Sequence, residues 1–381
     1  MVNVGIYNTS WGTFGGGEKY ISLIANILSK LDGFNVTLLL DKPSLTRKQL
    51  STFYSIELDN VAVRNISAKD VTDIMSSFDL GIITSNVKTF GNHAKYNIYI
   101  LQIPYYKLTP VRILGKAIIE NPKEGIKDIM RLALLRDARK SDLALVYSEF
   151  TQGALQKYHK IDGKILYPPI DDFHRIGAKK KVLLSVGRFF RGVYNDKRYD
   201  ILIKGFKKLW QHVSDSSWEY HLVGSCGADA KSQRYLDTLR ETAKGYPIRF
   251  YVNATYSDLQ KLYDESTIFW HATGYGVDET RYPERMEHFG MSTVEAMSAK
   301  CIPVVINKGG QKEIVTHGET GFLWNTLEEL IEYTLQIISD PLMADRIKER
   351  ARSRYMDFNR DHFSQKLIQL IEKLDIGGLR N

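Results

Sequence analysis

The chain has 381 residues, 43% hydrophobic and 25% charged, with 28 Gly and 10 Pro; it can bury two cores and is neither disordered nor fibrous. Its two cysteines, Cys226 and Cys301, form no disulfide framework and no paired metal-ligand spacing, which points to a reducing compartment. The 52 basic and 44 acidic residues leave a net charge of +8, which admits an anionic partner: nucleic acid, a membrane surface or a phosphorylated ligand.

The opening Met1-Val2-Asn3-Val4-Gly5-Ile6 has no basic stretch ahead of its apolar residues and is not read as a signal peptide. No apolar run approaches the roughly 18–20 residues of a membrane helix, so a cytoplasmic protein is expected. From there, short apolar runs alternate with helical periodicity, the mark of βα units and parallel sheets. In the first half the predicted strands are Val2–Tyr7, Val36–Leu40, Leu80–Ile83, Tyr96–Ile103, Leu143–Ser148 and Lys164–Tyr167. A helix over Glu18–Leu31 gathers Ile21, Ile24, Ala25, Leu28 and Leu31 on one face. Tyr167-Pro168-Pro169-Ile170-Asp171-Asp172 breaks both patterns and sets a domain boundary near residue 170. In the second half, strands are predicted at Lys181–Val186, Glu219–Val223, Ile248–Val252, Ile268–His271 and Ile302–Ile306. Helices follow at Arg198–Val213, Gln233–Lys244, Ser257–Glu265, Thr293–Ala299, Leu327–Ser339, Leu342–Arg350 and Arg360–Leu374. The fold class is α/β: two doubly wound domains.

Three segments carry chemistry. Gly12-Thr13-Phe14-Gly15-Gly16-Gly17-Glu18 follows the first strand and opens a helix, where glycines admit close backbone approach and free N–H groups suit an anion. It is not a full dinucleotide fingerprint, because Tyr20 stands where the third glycine would be; Asp41, ending strand two, imitates the ribose acid of such sites. Ser185-Val186-Gly187-Arg188, with Lys197-Arg198 after a loop, lies at the carboxyl end of the first strand of domain two, and Arg188 and Lys197 suit a diphosphate. Glu287-His288-Phe289-Gly290-Met291-Ser292-Thr293-Val294-Glu295 spaces two acids eight apart, the first in a loop and the second one turn inside a helix. Ser292 is its expected N-cap.

These motifs, with Pro303-Val304-Val305, Gly309-Gly310, Glu313-Ile314-Val315 and Gly318 to Gly321-Phe322-Leu323, together resemble family 4 glycosyltransferases of the GT-B fold, across about residues 3–375. The resemblance implies two Rossmann-like domains facing a central cleft. Residues 1–170 would bind the acceptor, residues 171–358 the nucleotide sugar, and 359–381 would form a helix crossing back to the first domain. It implies retaining, metal-independent transfer of a hexose from a UDP- or GDP-linked donor to a glycan or lipid-linked acceptor. By the same resemblance Glu287 faces the sugar, Glu295 binds the ribose hydroxyls, and Arg188 and Lys197 hold the diphosphate. Backbone of Phe289, Gly290, Met291 and Ser292 would line the donor, Gly16 and Gly17 would approach it, and Ala254 would touch the base. Departures include Gln102 where many members carry an acceptor-side His; a glutamine cannot be a general base, whereas a front-face reaction needs none. His288 and Lys300 also depart from the usual residues. Other users of the fold, a UDP-sugar epimerase or a sugar phosphorylase, and a non-catalytic sugar-nucleotide-binding protein are the alternatives.

Independently, the chain contains no Asp-x-Asp and no His-x-x-x-His, so no metal is expected. Between Tyr105 and Lys140 stand nine basic residues (Lys107, Arg112, Lys116, Lys123, Lys127, Arg131, Arg136, Arg139, Lys140) against four acids (Glu120, Glu124, Asp128, Asp137), interleaved with apolar ones. Such basic amphipathic helices can lie on anionic lipid on the inner face of the membrane, while core-facing helices with solvated basic sides are the plainer reading. No nucleic-acid-binding motif is present, and no nucleic-acid partner is expected.

Overall fold

The computed structural model describes the chain except residues 13, 14, 120, 176, 193–195, 214, 216, 375 and 377–381. Thr13 and Phe14 of the glycine-rich segment, Glu120 of the basic stretch, and most of the chain beyond Leu374 therefore lie outside the described residues. The chain divides into two compact units, Met1–Pro169 with Asp361–Asn381, and Ile170–Arg360. The borders fall one and two residues from the expected 170/171 and 358/359. Ile170 N–H donates to Phe358 O at 2.9 Å and Arg360 pairs with Asp171 at 2.6 Å, which fastens these residues to the second unit.

The first unit runs β1 (Val2–Asn8), α1 (Gly16–Leu28), β2 (Phe34–Leu40), α2 (Arg47–Tyr54), β3 (Ala62–Asn65), α3 (Val71–Met75), β4 (Leu80–Thr84) and β5 (Tyr96–Leu101). It continues with α4 (Pro110–Ile119), α5 (Pro122–Lys140), β6 (Leu143–Val146), α6 (Glu149–His159) and β7 (Lys164–Ile165). All strands are parallel, in the order β3-β2-β1-β4-β5-β6-β7. β1 and β4 are buried almost throughout, as strands covered on both faces must be.

The second unit runs β8 (Lys180–Val186), α7 (Tyr199–Trp210), β9 (Glu219–Gly224), α8 (Ala230–Ala243), β10 (Ile248–Val252), α9 (Tyr256–Glu265), β11 (Ser266–His271) and α10 (Met291–Ser298). It continues with β12 (Ile302–Ile306), α11 (Gln311–Ile314), β13 (Phe322–Trp324), α12 (Leu327–Ser339) and α13 (Pro341–Tyr355). Its six parallel strands take the order β10-β9-β8-β11-β12-β13. Capping boxes start α9 (Thr255, Asp258) and α12 (Thr326, Glu329), satisfying first-turn N–H groups. The last helix, α14 (Arg360–Glu372), returns to the first unit and buries Phe363, Leu367, Leu370 and Ile371 in its core. There the Phe363 ring meets Tyr20 edge-on at 5.1 Å.

The short β3 and β13 and the helices α2, α3, α6 and α11 were not among the predicted elements. β3 is a largely exposed edge strand and β13 has three residues, so neither writes an apolar run into the sequence.

Candidate active site

In both sheets the strand order reverses direction beside the first strand, and a doubly wound sheet opens a crevice beyond the carboxyl ends of the strands at that point. In the second unit the switch lies between β8 and β11, paired at Leu184–Phe269. The segments leaving these two strands carry Arg188 and Lys197 on one side and Glu287 on the other.

Lys197 Nζ donates to Glu287 Oε2 at 2.5 Å, and the side chains are only 16% and 14% exposed. Gly187 makes this reach possible, since a Cβ there would stand 2.7 Å from Lys197 Cγ. The same Glu287 oxygen lies 2.9 Å from Nε2 of buried His271, at the end of β11. Thr273 Oγ1 is 3.1 Å from that nitrogen, and Gln311 Nε2 is 3.3 Å from His271 Nδ1. With the Gln311 amide donating to Nδ1, the imidazole carries its proton on Nε2 and presents it to Glu287. Burial opposes the Glu287 charge, but the Lys197 ammonium and the His271 bond outweigh it and hold the carboxyl well below the usual range. Burial pushes His271 down, against the pull of Glu287, so the ring is neutral at neutral pH. The outcome is an ionised carboxylate fixed between an ammonium and an imidazole. Its backbone is fixed as well: Gly310 N–H donates to Glu287 O at 2.8 Å, and a Cβ on Gly309 (φ +60°) would overlap that oxygen.

Arg188 is exposed, and its guanidinium makes no hydrogen bond or ion pair among the described residues. Its strand end is locked to the neighbouring one, for Phe189 N–H donates to Ser225 O at 2.8 Å and a Cβ on Gly224 would overlap Gly187 O. Lys197 is thus found on the carboxylate, while Arg188 is open to a ligand. Arg198, the other cation of that segment, is taken up by Asp200 and by Tyr275 O at 2.6 Å. Ala254 follows β10 beside Asn253, whose left-handed backbone (φ +55°) lets its N–H bond Gly224 O at 2.9 Å. It borders a cavity of about 500 Å³ shared with Tyr251, Thr255 and Lys261, and Glu287 is not among the residues that line it.

The helix α10 departs from expectation at its start. Gly290 (φ +124°), not Ser292, is the N-cap, and Ser292 lies inside the first turn. Only glycine adopts this backbone readily, and a Cβ would meet the Gln311 amide at 2.8 Å. The change leaves the first N–H groups of α10 without a side-chain cap. Phe289 turns its ring into the core, edge-on to Phe358 at 5.5 Å, and offers backbone only. Glu295 stands one turn in, where Tyr263 OH donates to its Oε2 at 2.8 Å and to Ser292 O at 3.2 Å. His288 places its Nε2 3.2 Å from Glu284 O. His271, Gln311 and Tyr263 were absent from the sequence-based site; the available signal was the position of His271 at the end of the strand flanking the switch.

Gly16 and Gly17 belong to the first unit. Gly16 begins α1, and a Cβ on Gly17 would stand 3.0 Å from the Gln102 amide, which itself donates to Tyr147 OH at 2.8 Å. Buried Glu18 accepts from Gly12 N–H and, at 3.2 Å, from Tyr54 OH, so this acid shapes the loop. Asp41 accepts from Tyr7 OH at 2.8 Å. Among the described residues no group of three His, Cys, Asp or Glu is arranged to hold a metal ion.

Residues 168–354 match the family described as glycosyl transferases group 1. Over 231 residues the chain is 29% identical to a GDP-Man:Man(3)GlcNAc(2)-PP-Dol alpha-1,2-mannosyltransferase of Dictyostelium discoideum, covering 57% of this chain and 43% of that one. It is 26% identical over 262 residues to the human alpha-1,3/1,6-mannosyltransferase ALG2, covering 61% and 59%. The chain thus spans about half the length of the curated relatives it matches. In three dimensions it is similar to Anabaena Alr3699/HepE in complex with UDP and glucose (TM-score 0.70, 17% identity, 98% of this chain and 100% of that one). It is likewise similar to a glycosyltransferase from Rickettsia africae (TM-score 0.69, 15% identity, 98% of each).

Proposed function

We propose that this chain, whose residues 168–354 match the glycosyl transferases group 1 family and whose fold is like that of solved GT-B glycosyltransferases, is a retaining, metal-independent hexosyltransferase. Its donor is a nucleoside-diphosphate hexose, GDP-mannose ahead of UDP-linked sugars. Its acceptor is a glycan on a lipid carrier, met as a peripheral protein at an anionic membrane surface. The names of the relatives from Dictyostelium and human support the mannosyl donor, and the Dictyostelium name the lipid-linked acceptor. No helix among the described residues is long and apolar enough to cross a membrane. The observation that carries the reading is the Lys197–Glu287–His271 group at the sheet's switch point, one segment away from the open guanidinium of Arg188.

In this reaction the bond between the anomeric carbon and the diphosphate oxygen breaks, and the acceptor oxygen bonds to the same face of the sugar. The acceptor's proton passes to the departing phosphate oxygen, so Gln102 is not asked to act as a base. Charge growing on the diphosphate is met by Arg188 and by the N–H bonds of Lys197 that Glu287 does not use. Glu287, held ionised, faces the positive charge of the sugar ring; it is no proton donor at neutral pH. Glu295, oriented by Tyr263, takes the ribose hydroxyls. Backbone N–H groups of Phe289, Gly290, Met291 and Ser292 line the donor, and Ala254 offers backbone to the base. Gly16 and Gly17 give the first unit an open backbone face.

A thermal-shift series with GDP, GDP-mannose, UDP and UDP-glucose in EDTA tests the donor, because a ligand that binds only the folded state raises the melting temperature. The expected result is a rise with GDP and GDP-mannose, followed by an α-linked product with a lipid-linked acceptor. A rise with UDP-sugars alone overturns the donor assignment. Isomerised or phosphorolysed donor overturns transfer itself.

A further inference from the structure

We propose that the hairpin of α4 and α5 is a lipid-docking surface that lies in the headgroup layer of an anionic bilayer. Over Val111–Leu132 the hairpin is inverted relative to an ordinary surface helix pair, which turns apolar residues inward and charge outward; beyond it α5 buries Leu134, Leu135 and Ala138 in the core. Asp128 is fully buried between the helices and accepts from Tyr106 OH and Arg131, with Lys116 Nζ at 3.6 Å. The Arg112 guanidinium sits over the Tyr106 ring at 3.8 Å. With these groups turned inward, the apolar side chains stand outside: Val111 is 83% and Ile118 74% exposed, Leu114 lies between them at helical spacing, and Ile126 and Ile129 continue on α5. No residue of α4 is buried. Seven of the thirteen large hydrophobic residues exposed among those described fall between Val111 and Leu132, so the exposure is concentrated in this hairpin.

The charge around the stripe selects the occupant. Of the described acids, Asp128 is inside, Glu124 pairs with Lys127, and Asp137 accepts from Thr89 and Arg136. Lys107, Lys123, Arg139 and Lys140 remain exposed, with no ion pair among the described residues. A second copy of the chain would bring two positive faces together; a bilayer offers phosphates to the cations and an acyl boundary to the isoleucines.

This surface rests on the peripheral-membrane clause of the proposed function, and it is tested apart from transfer. The full chain is floated with vesicles of phosphatidylcholine alone or with phosphatidylserine, while GDP thermal shift and circular dichroism report the fold of each variant. The expected result is flotation with phosphatidylserine vesicles that high salt weakens. The expected loss is about tenfold or more for Ile118→Asp/Ile129→Asp, and about tenfold for Lys123→Glu/Arg139→Glu. Absence of flotation in the parent chain, or equal flotation of folded variants, overturns the proposal. So does a dimer that Ile118→Asp/Ile129→Asp dissolves without any vesicle binding, since a second copy then owns the surface. Transfer to a water-soluble acceptor is unchanged in these variants if only docking is lost.

Discussion

The two units repeat one topology and put different chemistry at the carboxyl ends of their strands. In the first, the segments after β1, β2 and β5 carry Glu18, Asp41 and Gln102, each with a protein partner: Gly12 N–H and Tyr54, Tyr7, and Tyr147. In the second, the segments after β8 and β11 bring together Lys197, Glu287 and His271 and leave Arg188 open. Topology fixes where a ligand can sit; the side chains at that place decide whether it meets charge.

The largest break in this comparison is to remove the ammonium. Lys197→Ala takes away the strongest influence that holds mostly buried Glu287 ionised and leaves only the imidazole beside it, and transfer is expected to fall about 10²–10³-fold. Losing one partner of such a pair also costs about 3–5 kcal/mol of stability, read as a lowered urea midpoint. Glu287→Gln separates the effects: the amide keeps the shape, activity is lost to a similar degree, and stability falls less. Wild-type turnover in both variants would remove this group from the mechanism.

Arg188→Ala comes next. Its guanidinium makes no hydrogen bond or ion pair among the described residues, so stability should stay within about 0.5 kcal/mol of the parent while kcat falls roughly 10²-fold. A melting-temperature loss as large as that of Lys197→Ala would show that Arg188 is structural and erase the contrast between the paired and the open cation.

The extent to which this site was legible in sequence follows from the same contrast. Arg188 is local, a charged residue beside Gly187 after the apolar run of β8 that marks a strand end, and Lys197, Glu287 and Glu295 fall in short segments read from the chain itself. His271 and Gln311 are not local. They lie 16 and 24 residues from Glu287 on opposite sides of it, and only strand pairing and the turn at Gly309-Gly310 bring them together. Ser292 was a reasonable cap by residue type, yet the close approach of Gln311 requires glycine and moves the helix start to Gly290. The hairpin likewise showed its composition and hid its orientation, because the inward turn of Lys116 and Arg131 depends on one buried acid, Asp128, across the helix pair.

A pH series probes the imidazole with a smaller effect. Buried His271 holds a depressed pKa, whereas the unfolded chain takes up its proton near 6.5; the unfolded state therefore binds more protons as pH falls below about 6.5. Glu287 has the same sign at lower pH: its contribution is complete above about 5 and fades as the carboxylate is protonated. Stability should thus fall in two stages on acidification. His271→Gln, which still offers an N–H to Glu287, should shrink the upper stage, which begins below about 6.5 and to which half-buried His159 and buried His221 also contribute, and retain the lower one. An unchanged upper stage would assign it to another group.

The smallest effect tests the first unit. Asp41 follows β2 where a dinucleotide site would place its ribose acid, but its carboxylate accepts from Tyr7 OH. If the bond is only structural, Asp41→Asn and Tyr7→Phe should each cost about 0.5–1.5 kcal/mol, with no added loss in the double variant beyond the pair's shared bond. The donor KM should be the same in all three. A donor KM raised severalfold by Asp41→Asn and not by Tyr7→Phe would mean that the carboxylate serves the nucleotide after all. The contrast between a unit whose acids are taken up by protein partners and one that leaves Arg188 open would then have to be given up.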